Sequence, residues 1–545
     1  MQSSIFRKKF PITNVKNSNM GTVFLIWEFR NLFDNCISSN QVKRRRKMNQ
    51  NYEKLKQYVD KAAALGAALS LFGWDNETLA PKNSMEKTSK LVGILSSEYF
   101  NTIINDEVEQ LLKELKVDNT LEEVEKAVVR CFAEDIDSLK TIPPQDFVAY
   151  SELTSKASSI WANARVENNF KLFEPVLAEI IEYNKKFAGT QAKDGQKIYD
   201  VKLDEYEKSF HITDLDEFFN QLKDTIVPLL KKIKEKEGFI KSDFLFKHYD
   251  IEKQKKFNHW ITEYMGFDYS RGVLGESEHP FTTNLHREDV RMTTYYFENN
   301  LESAIFSSIH ECGHALYEQG IDDKYAMTPV GQGASCATHE SQSRFFENII
   351  GRSRSFWVPI YDKLVELFPE NLSDVTLDDF VKAINRVHAD EIRTEADELT
   401  YCLHIMVRYE IEKKIFEENY PIDKLPQLWN QLYEEYLGVI PANDSIGILQ
   451  DVHWSGGMFG YFPSYALGNA FSAQIYNQMK KDINVNKLLE EGNIKEIVQY
   501  LNTHVHQYGR SKTAKQILFD VTGEEFNPKY YIEYLTEKYS TLYEL

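Results

Sequence analysis

The sequence predicts a mainly α protein, one large helical body with at most a small β-sheet near residues 280–297. Three observations lead there. From residue 51 onward, apolar residues recur three and four apart in window after window, the period of a half-buried helix. Fifteen prolines and 24 glycines are few breakers for 545 residues, and they cluster between the helical windows. One stretch alone, Arg291-Met292-Thr293-Thr294-Tyr295-Tyr296-Phe297, concentrates β-branched and aromatic residues as a strand does.

Taken in order, Asn51 to Leu71 opens the body as an amphipathic helix. Leu111, Leu112 and Leu115 continue through Val124 and Val128 at helical spacing, as do Phe170 to Ile181 and Leu215 to Leu230. Leu301, Ile305, Ile309, Cys312 and Leu316 share a helix face that Gly320 would close. A second helix begins at His339, carries Phe345, Phe346, Ile349 and Ile350, and stops at Gly351. Farther on, Ile392, Leu399, Leu403 and Val407 mark the apolar side of a helix. Its other side carries a polar stripe of Arg393, Asp397, Thr400/Tyr401, His404 and Arg408, facing either a wet groove or an internal ladder of ion pairs. The glycines of residues 454–460 suit a mobile loop.

Composition excludes several function classes. With 42% hydrophobic and 27% charged residues, the chain is too apolar for disorder. A mean hydropathy of −0.47 is too polar for a membrane bundle. The best apolar run, Thr22 to Trp27, falls far short of the ~18 residues a spanning helix needs. Sixty-four basic against 83 acidic residues give a net charge of −19, which repels phosphate backbones, so no nucleic-acid partner is expected. Residues 1–47 nevertheless carry ten basic side chains and two acidic ones, leaving −27 on the rest. That break marks a boundary. Residues 1–47 read as a poorly ordered basic extension, either a targeting leader or upstream sequence ahead of the true initiator Met48. Residues 48–545 read as the folded body that carries the function. Five scattered cysteines (Cys36, Cys131, Cys312, Cys336, Cys402) argue for a reducing, cytoplasmic location, with Cys312 and Cys336 as small apolar fillers.

Eight of the thirteen histidines lie between residues 279 and 453. The sharpest feature is His310-Glu311-Cys312-Gly313-His314. Residues i and i+4 share a helix face, so both imidazoles can point at one metal ion, with Glu311 beside them to take a proton from activated water. A catalytic zinc needs a third protein ligand and an open position. Glu340, in His339-Glu340-Ser341-Gln342, is the candidate, because thirty residues allow a second helix to turn back alongside the first. His339 competes, but adjacent helical residues point about 100° apart.

These two motifs resemble the thermostable carboxypeptidase family of carboxypeptidase Taq (peptidase family M32). Further blocks match it in order: His279-Pro280-Phe281, Asp289-Val290-Arg291-Met292-Thr293, Ile392 to Tyr401, Gly447 to Trp454, and the early Trp74-Asp75-Asn76-Glu77-Thr78. The resemblance spans about residues 50–545. It implies a saddle-like, zincin-like helical peptidase with a deep groove, usually a homodimer, that uses zinc or sometimes cobalt to remove C-terminal residues one at a time from peptides with a free C-terminus.

The residues support matching roles. Glu311 serves as general base and then acid. His453 and a tyrosine, Tyr461 or Tyr465, are candidates to stabilise the oxyanion. Related helical peptidases place a histidine and then a tyrosine in this role at a spacing that favours Tyr465. A guanidinium best grips a terminal carboxylate; Arg393 is the first choice and Arg291 the second, with Gln450 available for peptide backbone. An oligopeptidase on the same scaffold, which needs no carboxylate grip, is the alternative. A catalytically dead scaffold is disfavoured by the intact motif.

Overall fold

The computed structural model describes residues 50–545 except 141, 142 and 237, so the basic extension lies outside the described residues. Helices dominate, as expected. Six of them are numbered in chain order, of which α3, α4 and α6 line the cleft described below: α1 (Gln50–Thr78), α2 (Ile198–Asp204), α3 (Leu301–Gly320), α4 (Cys336–Arg344), α5 (Glu398–Glu418) and α6 (Phe462–Asp482). The sheet has three strands among the described residues, β1 (Gly272–Glu276), β2 (Thr282–His286) and β3 (Asp289–Thr294), in the order β1-β3-β2. β1 runs parallel to β3 and β2 antiparallel to it. The expected strand at Arg291–Phe297 thus starts two residues earlier and ends at Thr294, where Tyr295 and Phe297 turn out to solvent.

Local chemistry sets the helix starts. Asn300 caps α3 by accepting from the Ser303 N–H, and Ser335 caps α4 by accepting from Thr338 N–H. Past Arg344 the chain continues through a π-helical turn, Phe345–Ile350, that buries Phe345, Phe346, Ile349 and Ile350. α5 begins at Glu398 with Asp397 as its cap, so Arg393 sits in a short 3-10 turn ahead of the helix rather than on it.

Small residues let three of these helices touch. At Gly313 of α3 an added Cβ would lie 2.6 Å from the Gln342 carbonyl oxygen and 2.7 Å from Ser343 Cα of α4. At Gly468 of α6 it would lie 2.7 Å from Glu340 Cβ. Glu340 is therefore pinned between α3 and α6 by backbone that only glycine permits. The end of α1 folds onto the sheet: the Trp74 ring packs 5.5 Å from Phe281, and Arg291 lies 5.8 Å over it.

Candidate metal centre

α3 presents His310 and His314 one turn apart on one face, and α4 presents Glu340 to them. One donor atom from each lies within 4.8 Å of the other two, a grouping found once among the described residues. The Nε2 atoms of His310 and His314 stand 3.8 and 3.5 Å from Glu340 Oε2. Each of the three has its far side committed. His310 Nδ1 meets Glu347 Oε2 at 2.8 Å, and His314 Nδ1 meets His339 Nδ1 at 2.6 Å. Arg344 Nε donates to Glu340 Oε1 at 2.6 Å. Two imidazoles and one carboxylate, oriented from behind and converging in front, fit a divalent metal of the zinc type.

The electrostatics agree. Burial alone would raise Glu340, but Arg344 and then His310 and His314 hold it well below the usual carboxylate range. Burial pushes His314 down to about 3, leaving the neutral imidazole that ligation requires. Desolvation would lower His310, yet Glu340 and Glu347 raise it. Glu347, which burial would raise, is brought down to about 2 by Arg344 and His310.

Glu311 faces the same cleft, only 6% exposed, and Thr282 Oγ1 of β2 donates to its Oε2 at 2.6 Å. Burial raises its pKa against the pull of His310 and Thr282, the direction a general base near neutrality needs. The cleft measures about 860 Å³. Phe281 and Thr282 line one side, and Tyr461 and Tyr465, at the start of α6, line another.

The other expected site residues divide. Tyr461 and Tyr465 reach the cleft, their rings 5.1 Å apart, and His453 packs behind them 5.5 Å from Tyr461. The His453 Nδ1 atom is buried without a hydrogen-bond partner; burial lowers its pKa to about 4 despite nearby Asp451. Arg393 is 7% exposed and does not line the cleft. Its Nε and Nη2 donate to Asp451 Oδ1, its Nη1 donates to the Tyr401 hydroxyl, and it lies 5.3 Å from the Tyr465 ring. Arg408 donates to the other oxygen of Asp451. The polar stripe is thus an internal ion-pair ladder, not a groove wall. Gln450 belongs to it, accepting from Arg393 N–H and Arg408. Arg291 pairs with Asp289 at 2.8 Å, also away from the cleft lining. Cys312 is buried, as expected of a filler, whereas Cys336 lines the cleft.

Sequence reasoning missed Glu318, Thr282, Arg344 and Glu347. Helical spacing was the signal for three of them: Glu318 follows His314 by four, and Arg344 and Glu347 follow Glu340 by four and seven, so Glu318 shares a helix face with His314, and Arg344 and Glu347 share one with Glu340. Thr282 carried no such signal, because it arrives from a separate strand.

The model of a family described as carboxypeptidase Taq (M32) metallopeptidase matches residues 54–539. Carboxypeptidase 1 of Bacillus subtilis is 44% identical over 479 residues, covering 87% of this chain and 95% of that protein. Thermostable carboxypeptidase 1 of Pyrococcus furiosus is 37% identical over 479 residues, covering 87% and 96%. The solved M32 carboxypeptidase from Deinococcus radiodurans R1 superposes with a TM-score of 0.89 at 30% identity, covering 91% of this chain and all of that one.

Proposed function

The chain belongs to the carboxypeptidase Taq (M32) metallopeptidase family and is a metallocarboxypeptidase; from that premise we propose that His310, His314 and Glu340 hold its metal and Glu311 moves the proton. The observation that carries the reading is the convergence of the three donors beside a buried Glu311 in one cleft. Zinc suits two imidazoles and a carboxylate, and cobalt is the alternative. Bound there, the metal supplies Lewis-acid polarisation of the scissile carbonyl and acidifies water.

The chain's own residues do the rest. The Glu311 carboxylate, steadied by the Thr282 hydroxyl, takes the proton of the attacking water and returns it to the departing amine. Tyr461 and Tyr465 offer hydroxyl donors to the developing oxyanion, with Tyr465 preferred and His453 supporting them from behind. Arg393 acts on the terminal carboxylate through the wall. Two arginines share one aspartate, so net positive charge stands behind Tyr465 and draws an anion to that end of the cleft. Gln450 holds Arg393 rather than substrate, and Arg291 shapes the sheet. We also propose, from the family resemblance, a cytoplasmic homodimer acting on peptides with free C-termini. No helix among the described residues is long and apolar enough to cross a membrane.

Metal analysis combined with mass spectrometry of peptide trimming tests this. One metal per chain and a ladder of products shortened from the C-terminus are expected, with amidated peptides spared. Equal cleavage of amidated peptides, or full activity after chelation, refutes it.

A further inference from the structure

Glu318 is a buried carboxylate that the reaction above does not use. It lies one helical turn past His314 and lines the cleft, 5% exposed. It gathers three separate pieces of structure. Its Oε2 accepts from Asn284 Nδ2 of strand β2 at 2.6 Å. Its Oε1 accepts from the Gly333 N–H at 3.3 Å and meets His339 Nε2 at 2.7 Å. The other nitrogen of His339 meets His314 Nδ1 at 2.6 Å.

The hydrogens along this chain follow from donor and acceptor counting. His314 turns Nε2 toward Glu340 and the metal position, so that nitrogen must keep a free lone pair and the ring hydrogen sits on Nδ1. His314 Nδ1–H therefore donates to His339 Nδ1. With Nδ1 accepting, His339 carries its hydrogen on Nε2 and donates it to Glu318 Oε1. Each imidazole then has one donor and one acceptor satisfied. The His339 ring is also fixed in place: it lies 5.1 Å from the Tyr317 ring, and a Cβ at Gly333 would come 2.5 Å from its Cδ2. His310 reaches its own carboxylate, Glu347, in one step; His314 reaches Glu318 in two.

We propose that His339 and Glu318 are positioning residues for the metal: His339 relays the Glu318 carboxylate to His314 and fixes both its tautomer and its aim. The inference rests on the reading of His310, His314 and Glu340 as the ligands. It also explains why the histidine next to Glu340 is not itself a ligand, since both its ring nitrogens are already engaged. Because Glu318 also holds Asn284 and Gly333, the metal ligand, the edge strand β2 and the 333 loop share one anchor.

Metal affinity is the readout, measured on full-length protein by competition of Zn²⁺ and Co²⁺ with a chromophoric chelator, alongside the visible spectrum of the Co²⁺ form. His339→Phe keeps the aromatic packing and removes both nitrogens; it should weaken metal binding about 10- to 100-fold, the usual effect of losing an outer partner, and change the Co²⁺ bands. His339→Gln can still accept and donate, and should recover most of that loss. Glu318→Gln, which alters no packing volume, should weaken metal binding in the same direction and serves if His339→Phe does not fold. Wild-type metal affinity and spectrum in His339→Phe and Glu318→Gln overturn the proposal. So does equal loss in His339→Phe and His339→Gln with a matching drop in melting temperature, which marks a packing role alone. A wild-type protein that binds no metal would instead overturn the ligand assignment itself.

Discussion

Replacing Gly313 by alanine should damage the enzyme far more than its fold. Gly313 lies between His310 and His314 on α3, where that helix meets α4. A Cβ there would stand 2.6 Å from the Gln342 carbonyl oxygen and 2.7 Å from Ser343 Cα, against an ordinary contact of roughly 3.5–4.0 Å. Both are backbone atoms, so no side chain can swing away, and the helices must part by about 1 Å. Such overpacking costs about 1–3 kcal/mol, while removing glycine from a helix interior returns up to about 1 kcal/mol. The net loss of stability is about 0–3 kcal/mol. Function depends on a different quantity. α3 carries two of the proposed ligands and α4 the third, so the same ~1 Å changes the spacing of the three donors, and a misplacement of that size costs about 10²-fold in rate. Steady-state kcat/KM on a peptide with a free C-terminus, metal content and denaturant unfolding measure the two effects side by side. Gly73→Ala on α1 is the control, because a Cβ there meets nothing within 4 Å; it should gain up to about 1 kcal/mol and keep full activity. A Gly313→Ala enzyme with wild-type kcat/KM and metal occupancy refutes the reasoning.

Three further outcomes follow from named contacts. Glu311→Gln should lower kcat by about 10²–10⁴-fold while the protein still binds metal. Because burial raises the Glu311 pKa, the ionised carboxylate destabilises the metal-free fold at neutral pH; the glutamine variant should unfold later there in chelator-treated protein, and the gain should vanish below about pH 4, where both folded and unfolded carboxyls are protonated. Asp451→Asn leaves Arg393 and Arg408 buried without their shared anion and should cost about 3–5 kcal/mol in urea unfolding. With their guanidinium groups holding Asp451 far below the usual range against its burial, its contribution is present above about pH 4 and declines as pH falls toward the folded value, so wild type and variant should converge in acid. Tyr465→Phe should reduce kcat by about 10²–10³-fold and Tyr461→Phe by less; the reverse order would transfer the oxyanion role to Tyr461.

Much of the site could be read from the sequence because helices convert spacing into direction. His310, His314 and Glu311 were placed by a four-residue period alone, and Glu340 by the chain length needed to turn back, which α3 and α4 satisfy. The sheet was half legible. β3 shows as a run of β-branched and aromatic residues, while β1, Gly-Val-Leu-Gly-Glu, is too short and too glycine-rich to announce itself, and it pairs in parallel with β3 residues eighteen positions away. Contacts that join distant segments left no local trace. Thr282 reaches Glu311 from β2, and Trp74 reaches Phe281 from α1.

Arg393 is the instructive case. The spacing of Ile392, Leu399 and Leu403 predicts a helix that carries Arg393, but Asp397 accepts from the N–H groups of Leu399 and Thr400 and so starts α5 at Glu398. An aspartate four residues past Arg393 is equally compatible with a continuing helix and with a cap, and only the tertiary setting decides between them. That setting is Asp451, fifty-eight residues on, which takes both arginines and would otherwise be a buried, uncompensated carboxylate. The cap and the ion pair are mutually dependent: ending the helix at Asp397 frees Arg393 to turn toward Asp451, and the Arg393 main-chain N–H is in turn held by Gln450. A charge pattern that looks like a solvated face is therefore an internal brace behind Tyr465. A residue expected to grip substrate directly instead lies behind the cleft lining, its guanidinium committed to Asp451 and Tyr401.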